Sequence, residues 1–286
     1  MTSATFTIAT LDCSAPDAPQ RFVGSLRDTG FAVLTHHPLD AGLIKACYDA
    51  WAEFFADDGK HAFTRDVSTQ TGYFPLGSEN ARGRSVKDIK EFYHVYPGAQ
   101  LPASVAALTW EVYQKFVDFG RVLLGWIDAG SPDEVQARYS ESLTGMLEGS
   151  RMNLLRILHY PPLPARIEAG AQRAAAHADI NLITLLLAGS EPGLEAQDRE
   201  GRWHAVPCDA GMIAVNVGDM LQMASGGWFP STLHRVVNPS DDDNRSRYSM
   251  PMFLHPRPEV MLSPAVSAHE YLEERLREIG LKAGTA

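Results

Sequence analysis

His177-Ala178-Asp179-Ile180-Asn181-Leu182-Ile183-Thr184-Leu185-Leu186-Leu187 sets a histidine and an aspartate two residues apart at the head of an apolar run. Read as a strand, the run puts both side chains on one face, as two ligands of one metal require. A second histidine, His234, sits in the strand-like stretch Thr232-Leu233-His234-Arg235-Val236-Val237, and Arg247-Tyr248-Ser249 opens another that ends at Leu254. Two imidazoles and a carboxylate can hold one face of an iron(II) ion and leave adjacent positions open. The arginine and hydroxyl downstream can hold an acidic co-substrate. A His-x-Asp triplet on its own reads as a surface loop histidine beside a solvated aspartate. The order of three ligand-bearing strands gives this one its weight.

Strand-like runs surround these residues, at 152–160, 180–187, 194–197, 203–206, 212–217, 221–224, 232–237 and 248–254. Turn residues such as Pro161-Pro162, Gly218-Asp219 and Gly226-Gly227 punctuate them. Eight short strands predict a jelly roll, whose interior can gather ligands from strands distant in sequence. Upstream, residues 5–12 alternate as a strand, 17–29 read as a helix closed by Gly30, and 31–35 as a strand. Asp40 starts a helix carrying Leu43, Cys47, Trp51, Phe54 and Phe55 at helical spacing. Residues 60–100 look irregular, and 104–128 form a long amphipathic pattern. Ser131-Pro132-Asp133-Glu134 reads as a capping box, and 267–282 as a terminal helix. The chain is thus expected to be mainly β with packed helices. It divides into a helical and mixed N-terminal region (1–150), a jelly-roll domain (151–258) and a C-terminal helix (259–286).

A formal net charge of −10 with no basic run argues against a partner with a phosphate backbone. Cys13, Cys47 and Cys208 are odd in number and widely spaced, which fits a reducing compartment. Met1 to Ala15 lacks a secretory pattern, and no apolar run reaches the length of a membrane span. A cytoplasmic protein with a small-molecule substrate, no nucleic acid and no membrane is the expectation. Oligomeric state is not written in the chain.

Several stretches resemble the isopenicillin-N-synthase-like branch of the iron(II)- and 2-oxoglutarate-dependent oxygenases. Gly30-Phe31-Ala32-Val33-Leu34-Thr35-His36-His37 resembles that family's N-terminal Gly-Phe strand, and Lys87-Asp88-Ile89-Lys90-Glu91-Phe92 its DLKE segment. Leu155-Arg156-Ile157-Leu158-His159-Tyr160-Pro161-Pro162 is similar to its strand ending in Tyr-Pro-Pro. Val215-Asn216-Val217-Gly218-Asp219-Met220-Leu221-Gln222 is similar to its NxGDxLQ stretch, and Ser231 to Asn238 to its distal-histidine strand. The likeness spans most of the chain.

The resemblance implies a double-stranded β-helix with helices packed on one side, and makes His177, Asp179 and His234 the iron ligands. Arg247 would pair with the far carboxylate of 2-oxoglutarate, aided by Ser249 and Tyr160. The acidic insertion Asp241-Asp242-Asp243-Asn244 brings Arg245 close by, but only Arg247 has the Arg-x-Ser-x-x-x-Phe form through Phe253. With dioxygen as the third reactant, a C–H bond of the substrate would be hydroxylated or desaturated, with release of succinate and carbon dioxide. Leu185, Leu187, Val215, Val217 and Phe253 suit the dry pocket this needs, or the core. In relatives the substrate enters between the helices and the jelly-roll mouth. Tyr73, Arg82 and Arg84, the loop of Trp228 and Phe229, and Phe253 are therefore candidate contacts. An arginine facing the iron would favour an amino acid or small carboxylate.

Alternatives remain at this point. One is an iron and oxygen oxidase of the same fold that uses no 2-oxoglutarate. Another is a cupin-like binding protein, which loss of any ligand would favour. A zinc hydrolase lacks His-Glu-x-x-His here.

Overall fold

The computed structural model describes residues 6–66, 69–78, 87–164, 166, 168, 171–188, 191–239 and 244–278. In chain order the first half holds β1 (Ala9–Asp12), α1 (Ala18–Thr29), β2 (Phe31–Thr35), α2 (Ala41–Ala56), β3 (Gly72–Phe74), β4 (Glu91–Val95), α3 (Ala103–Gly130), α4 (Asp133–Gln136) and α5 (Leu143–Leu147). Then follow β5 (Leu154–Tyr160), β6 (Ala174–His177), β7 (Ile183–Leu187), β8 (Leu194–Gln197), β9 (Trp203–Ala205), β10 (Ile213–Val217), α6 (Asp219–Ala224), β11 (His234–Val236) and β12 (Arg247–Leu254). A short hairpin, β13 (Met261–Ser263) and β14 (Val266–Ser267), leads into α7 (Ala268–Glu278).

Two sheets face each other without closing into a barrel. The large one runs β1-β2-β10-β7-β12-β5-β4-β3 and the small one β6-β11-β8-β9. Strand alternation sorts the large sheet's side chains. Phe31, Val33, Phe92, Leu158, Tyr160 and Ala214 meet Ala174, Leu194, Ala196 and Val236 of the small sheet, so these line the jelly-roll interior. The opposite face, with Leu34, Leu155, Leu185, Val215 and Met252, packs against α1, α2, α3 and α5. Trp51 anchors that helical side, fully buried, its indole N–H donating to Thr109 Oγ1 at 2.9 Å. Burying a side chain of this size contributes on the order of 2–3 kcal/mol.

Gly30 ends α1 with a left-handed φ of 72°, its N–H reaching Leu26 O at 2.8 Å, which fits glycine's freedom there. Asp40 caps α2 by accepting from Leu43 N at 2.8 Å. Other expectations need correction. Residues 221–224 are helical within α6, because Gly218 and Asp219 start a turn of helix whose Met220, Leu221 and Ala224 are buried along one side. The segment 60–100 is not wholly irregular: β3 and β4 extend the large sheet. All five residues of β4 are buried, so no alternation marks it. The Ser131 capping box does not form; that hydroxyl donates back to Ile127 O at 2.7 Å, and α4 begins after Pro132 without a side-chain cap. Among the described residues no helix is long and apolar enough to cross a membrane.

Candidate active site

His177 is the last residue of β6, whereas Asp179 lies beyond it, in the connection to β7. The two candidate ligands are therefore not neighbours on one strand face, as their spacing suggests. A register shift between β6 and β11 helps to aim them. His234 pairs with His177 and Val236 with Ala174, so four residues of β6 span what three span on β11. His177 and Ala174 then both turn inward, and His177 meets His234 with ring centroids 4.4 Å apart.

The ligating atoms of His177, Asp179 and His234 all lie within 4.8 Å of one another. Asp179 Oδ1 is 3.8 Å from His177 Nε2 and 3.7 Å from His234 Nε2. His177 Nδ1 is 2.8 Å from Ala175 O, and His234 Nδ1 is 3.2 Å from Thr232 O. Each Nδ1–H thus donates to a carbonyl, which assigns the tautomer and leaves both Nε2 lone pairs facing Asp179. The protein packed round His177, and then the His234 imidazole, push its pKa to about 4, although one edge of the ring stays open to solvent. Near neutral pH it is an uncharged lone-pair donor. Burial opposes ionisation of Asp179, but the two imidazoles and two hydrogen bonds outweigh it and hold the carboxyl below its usual range.

Those hydrogen bonds come from Thr184 Oγ1 at 2.6 Å and Asn216 Nδ2 at 2.8 Å, both to Asp179 Oδ2. They leave Oδ1 for a metal. Asn181 in turn donates to Thr184 Oγ1 at 3.0 Å. Gly218 lets these pieces meet: a Cβ there would lie 2.1 Å from Asn181 O. Asp219, which reads in the sequence as a turn residue only, donates its N–H to Asp179 O at 2.7 Å and accepts from Tyr271 Oη. The sequence pattern assigns Thr184 and Asn216 no role, although Asn216 stands in the NxGDxLQ stretch. Thr184→Val removes one donor and leaves Asn181 Nδ2 with the Ile183 carbonyl alone. It is expected to weaken iron(II) binding roughly 10- to 100-fold. Anaerobic metal titration checks this, and an unchanged affinity would show that Thr184 does not orient Asp179.

Deeper in the interior, β12 presents Arg247 and Ser249 opposite Tyr160 and Leu158 of β5. Arg247 is 3 % exposed and its guanidinium lies 5.3 Å from the Tyr160 ring centroid. Its Nε donates to Glu191 O at 2.9 Å, but Nη1 is buried without a partner. The hydroxyls of Ser249 and Tyr160 bond to no other described residue. A buried guanidinium with an orphaned N–H beside two idle hydroxyls fits a carboxylate ligand. Arg245, the competing arginine, is exposed.

Of the candidate substrate contacts, Phe253 reaches the site: it faces inward opposite Thr184. Arg156, which no sequence motif singles out, lies beside it on the same face, 5.5 Å from the Phe253 ring and 4.6 Å from that of Phe92. Tyr73 does not reach the site. It is buried among Phe54, Phe55 and Tyr93 on the helical side, and its hydroxyl donates to Glu91. Trp228 packs against the same helical-side core. Leu185, Leu187, Val215 and Val217 also face the helices, so they are core and not pocket. Arg82, Arg84 and Asp241 to Asp243 lie outside the described residues.

Comparison with known proteins gives the following. The model of the 2OG-Fe(II) oxygenase superfamily matches residues 152–256, and that of the N-terminal region of non-haem dioxygenases in morphine synthesis matches 8–112. The crystal structure of an assigned oxygenase from Shewanella oneidensis is 48% identical, covering 96% of this chain and 100% of its own, with a TM-score of 0.88. A protein assigned to the 2OG-Fe(II) oxygenase family, from Caulobacter crescentus, is 31% identical over 96% of this chain and 100% of its own, with a TM-score of 0.80. A 2-oxoglutarate-dependent dioxygenase of Monascus ruber is 29% identical over 87% of this chain and 82% of its own.

Proposed function

Because the chain belongs to the 2OG-Fe(II) oxygenase superfamily, we propose that His177, Asp179 and His234 hold its iron and that Arg247, Ser249 and Tyr160 hold its co-substrate. The protein is an oxidoreductase, an iron(II)- and 2-oxoglutarate-dependent dioxygenase of a small molecule. When bound, iron(II) with 2-oxoglutarate and dioxygen supplies the oxidising power for an otherwise unreactive C–H bond, and releases succinate and carbon dioxide. The donor set fits that metal: two neutral imidazoles and one carboxylate, converging from one side.

The chain's own residues position and dry the site. The Ala175 and Thr232 carbonyls fix the imidazole tautomers, and Thr184 with Asn216 turns one oxygen of Asp179 inward. The Arg247 guanidinium orients the co-substrate by its far carboxylate. Val33, Phe92 and Leu158 exclude water from the interior. Arg156 between two aromatic rings supports a substrate with an acidic or carbonyl oxygen, such as an amino acid or small carboxylate. The formal charge of −10 supports a small molecule over nucleic acid, and the spacing of the three cysteines supports a cytoplasmic setting.

The observation that carries the site assignment is the convergence of three ligating atoms with a buried, orphaned guanidinium N–H of Arg247 deeper in the same interior. Anaerobic iron(II) titration tests it. With 2-oxoglutarate present, the weak visible charge-transfer band of the chelate is expected in the parent and not in the Asp179→Ala variant. Iron binding without that band would favour the oxidase that uses no 2-oxoglutarate.

A further inference from the structure

Arg173 stands just before β6, and only 1 % of it is exposed. Its Nη2 donates to Arg245 O at 2.5 Å, while its Nε is buried without a partner. Arg247 is in the same condition at Nη1. Neither arginine has an ion pair with a described carboxylate at 4.0 Å or less. The two guanidinium groups feel each other: burial and then Arg247 hold Arg173 below the usual arginine range, with Tyr160 and Glu191 acting in the other direction. Arg173 holds the carbonyl of Arg245, two residues before Arg247, and Arg247 in turn lies over the Tyr160 ring and donates to Glu191 O, so the four residues share one end of the interior.

Such an arrangement is costly when nothing fills it. Each buried ion gives up much of its hydration, and an apolar side chain of similar volume is often as stable or more so. An orphaned buried donor adds its own desolvation to that cost. Two arginines against the one carboxylate of Glu191 leave a single positive charge, which one further carboxylate would neutralise.

We infer that Arg173 is a second co-substrate-binding residue, its Nε donating with Arg247 Nη1 to the same far carboxylate of the 2-oxo acid. The pocket then selects a dicarboxylic 2-oxo acid through two guanidinium groups. This rests on the reading of Arg247 as the co-substrate arginine.

The test is calorimetric titration of the manganese(II)-loaded protein with 2-oxoglutarate and with 2-oxobutyrate, which lacks the far carboxylate. Arg173→Met is expected to weaken 2-oxoglutarate roughly 10- to 100-fold and to leave 2-oxobutyrate within about twofold. In an Arg247→Gln background, Arg173→Met should cost a further several-fold, since each arginine contacts the ligand itself. Equal loss for both ligands would assign Arg173 a structural role and overturn the inference. No further loss in the Arg247→Gln background would make Arg173 a prop for its neighbour, which overturns the inference as well. Unchanged 2-oxoglutarate affinity in Arg173→Met, with Arg247→Gln impaired, overturns the inference alone. If Arg247→Gln is itself unimpaired, the co-substrate reading falls. Should Arg173→Met not fold, Arg173→Lys carries the test: it keeps the charge but not the fork. A loss confined to 2-oxoglutarate supports the inference, and no loss overturns it.

Discussion

His234→Ala is expected to reduce turnover to below about a thousandth of the parent's and to remove tight iron binding. His234 is 8 % exposed and comes from β11, whereas of the other two candidate ligands His177 ends β6 and Asp179 lies in the connection to β7. Its loss leaves two donors from one short segment, too few to fix a metal face. Activity alone would not separate lost metal from lost fold, so thermal unfolding is the second readout. Iron(II) at about 100 times its Kd adds roughly 2.7 kcal/mol to a protein that binds it only when folded. At about 2 °C per kcal/mol for a chain of this length, that is a rise of ~5 °C in the parent's Tm. The variant should gain less than ~1 °C by the same measure. A His234→Ala protein that still gains the full iron-dependent rise would sink the ligand assignment.

Arg247→Ala should act on the co-substrate. Truncating one partner of a buried charged pair costs about 2–4 kcal/mol, which corresponds to a roughly 30- to 700-fold higher 2-oxoglutarate requirement. The KM for 2-oxoglutarate should carry this change, with the iron titration of the protein alone unaffected. The substitution also removes the packing of the guanidinium against Tyr160. For that reason the iron-only titration is the control for a collapsed interior. An Arg247→Ala enzyme with the parent's 2-oxoglutarate requirement would return the assignment to a residue elsewhere.

The chemistry is legible in residue order, and the geometry only in part. His177, Asp179, His234 and Arg247 can be picked out as candidates because few arrangements of imidazole, carboxylate and guanidinium along apolar strands make chemical sense. How His177 and Asp179 converge is hidden. Ala174, Ala175 and Ala176 give no strand signal, so the pattern merges β6 into the next strand and carries period-two alternation across what is a loop. Strand β4 is hidden for another reason: with both faces covered, Glu91-Phe92-Tyr93-His94-Val95 alternates nothing. Thr184, Asn216 and Arg173 escape assignment because their roles depend on which atoms they leave unpaired, and spacing along a chain does not record that. Phe253 is found because it closes the Arg-x-Ser-x-x-x-Phe form that begins at Arg247. Tyr73 is misplaced because an isolated tyrosine in an irregular-looking segment gives no hint of which side of a sheet it will join.

The strand order of the large sheet has a consequence for building hybrids. The sheet places β2 against β10 and β4 against β5, so strands from the first hundred residues border, at both ends, the block β10-β7-β12-β5 that includes the candidate arginine and hydroxyls. Two family models match the chain in separate stretches, yet those stretches are not separable pieces of architecture. Exchanging the front half between homologous enzymes would swap the borders of one continuous sheet, and with them Phe31 against His234 and Phe92 beneath Arg156. A chimera that seeks a new substrate range would therefore have to carry its interface strands as matched sets, cut in the helical connections and not at the join that sequence similarity suggests.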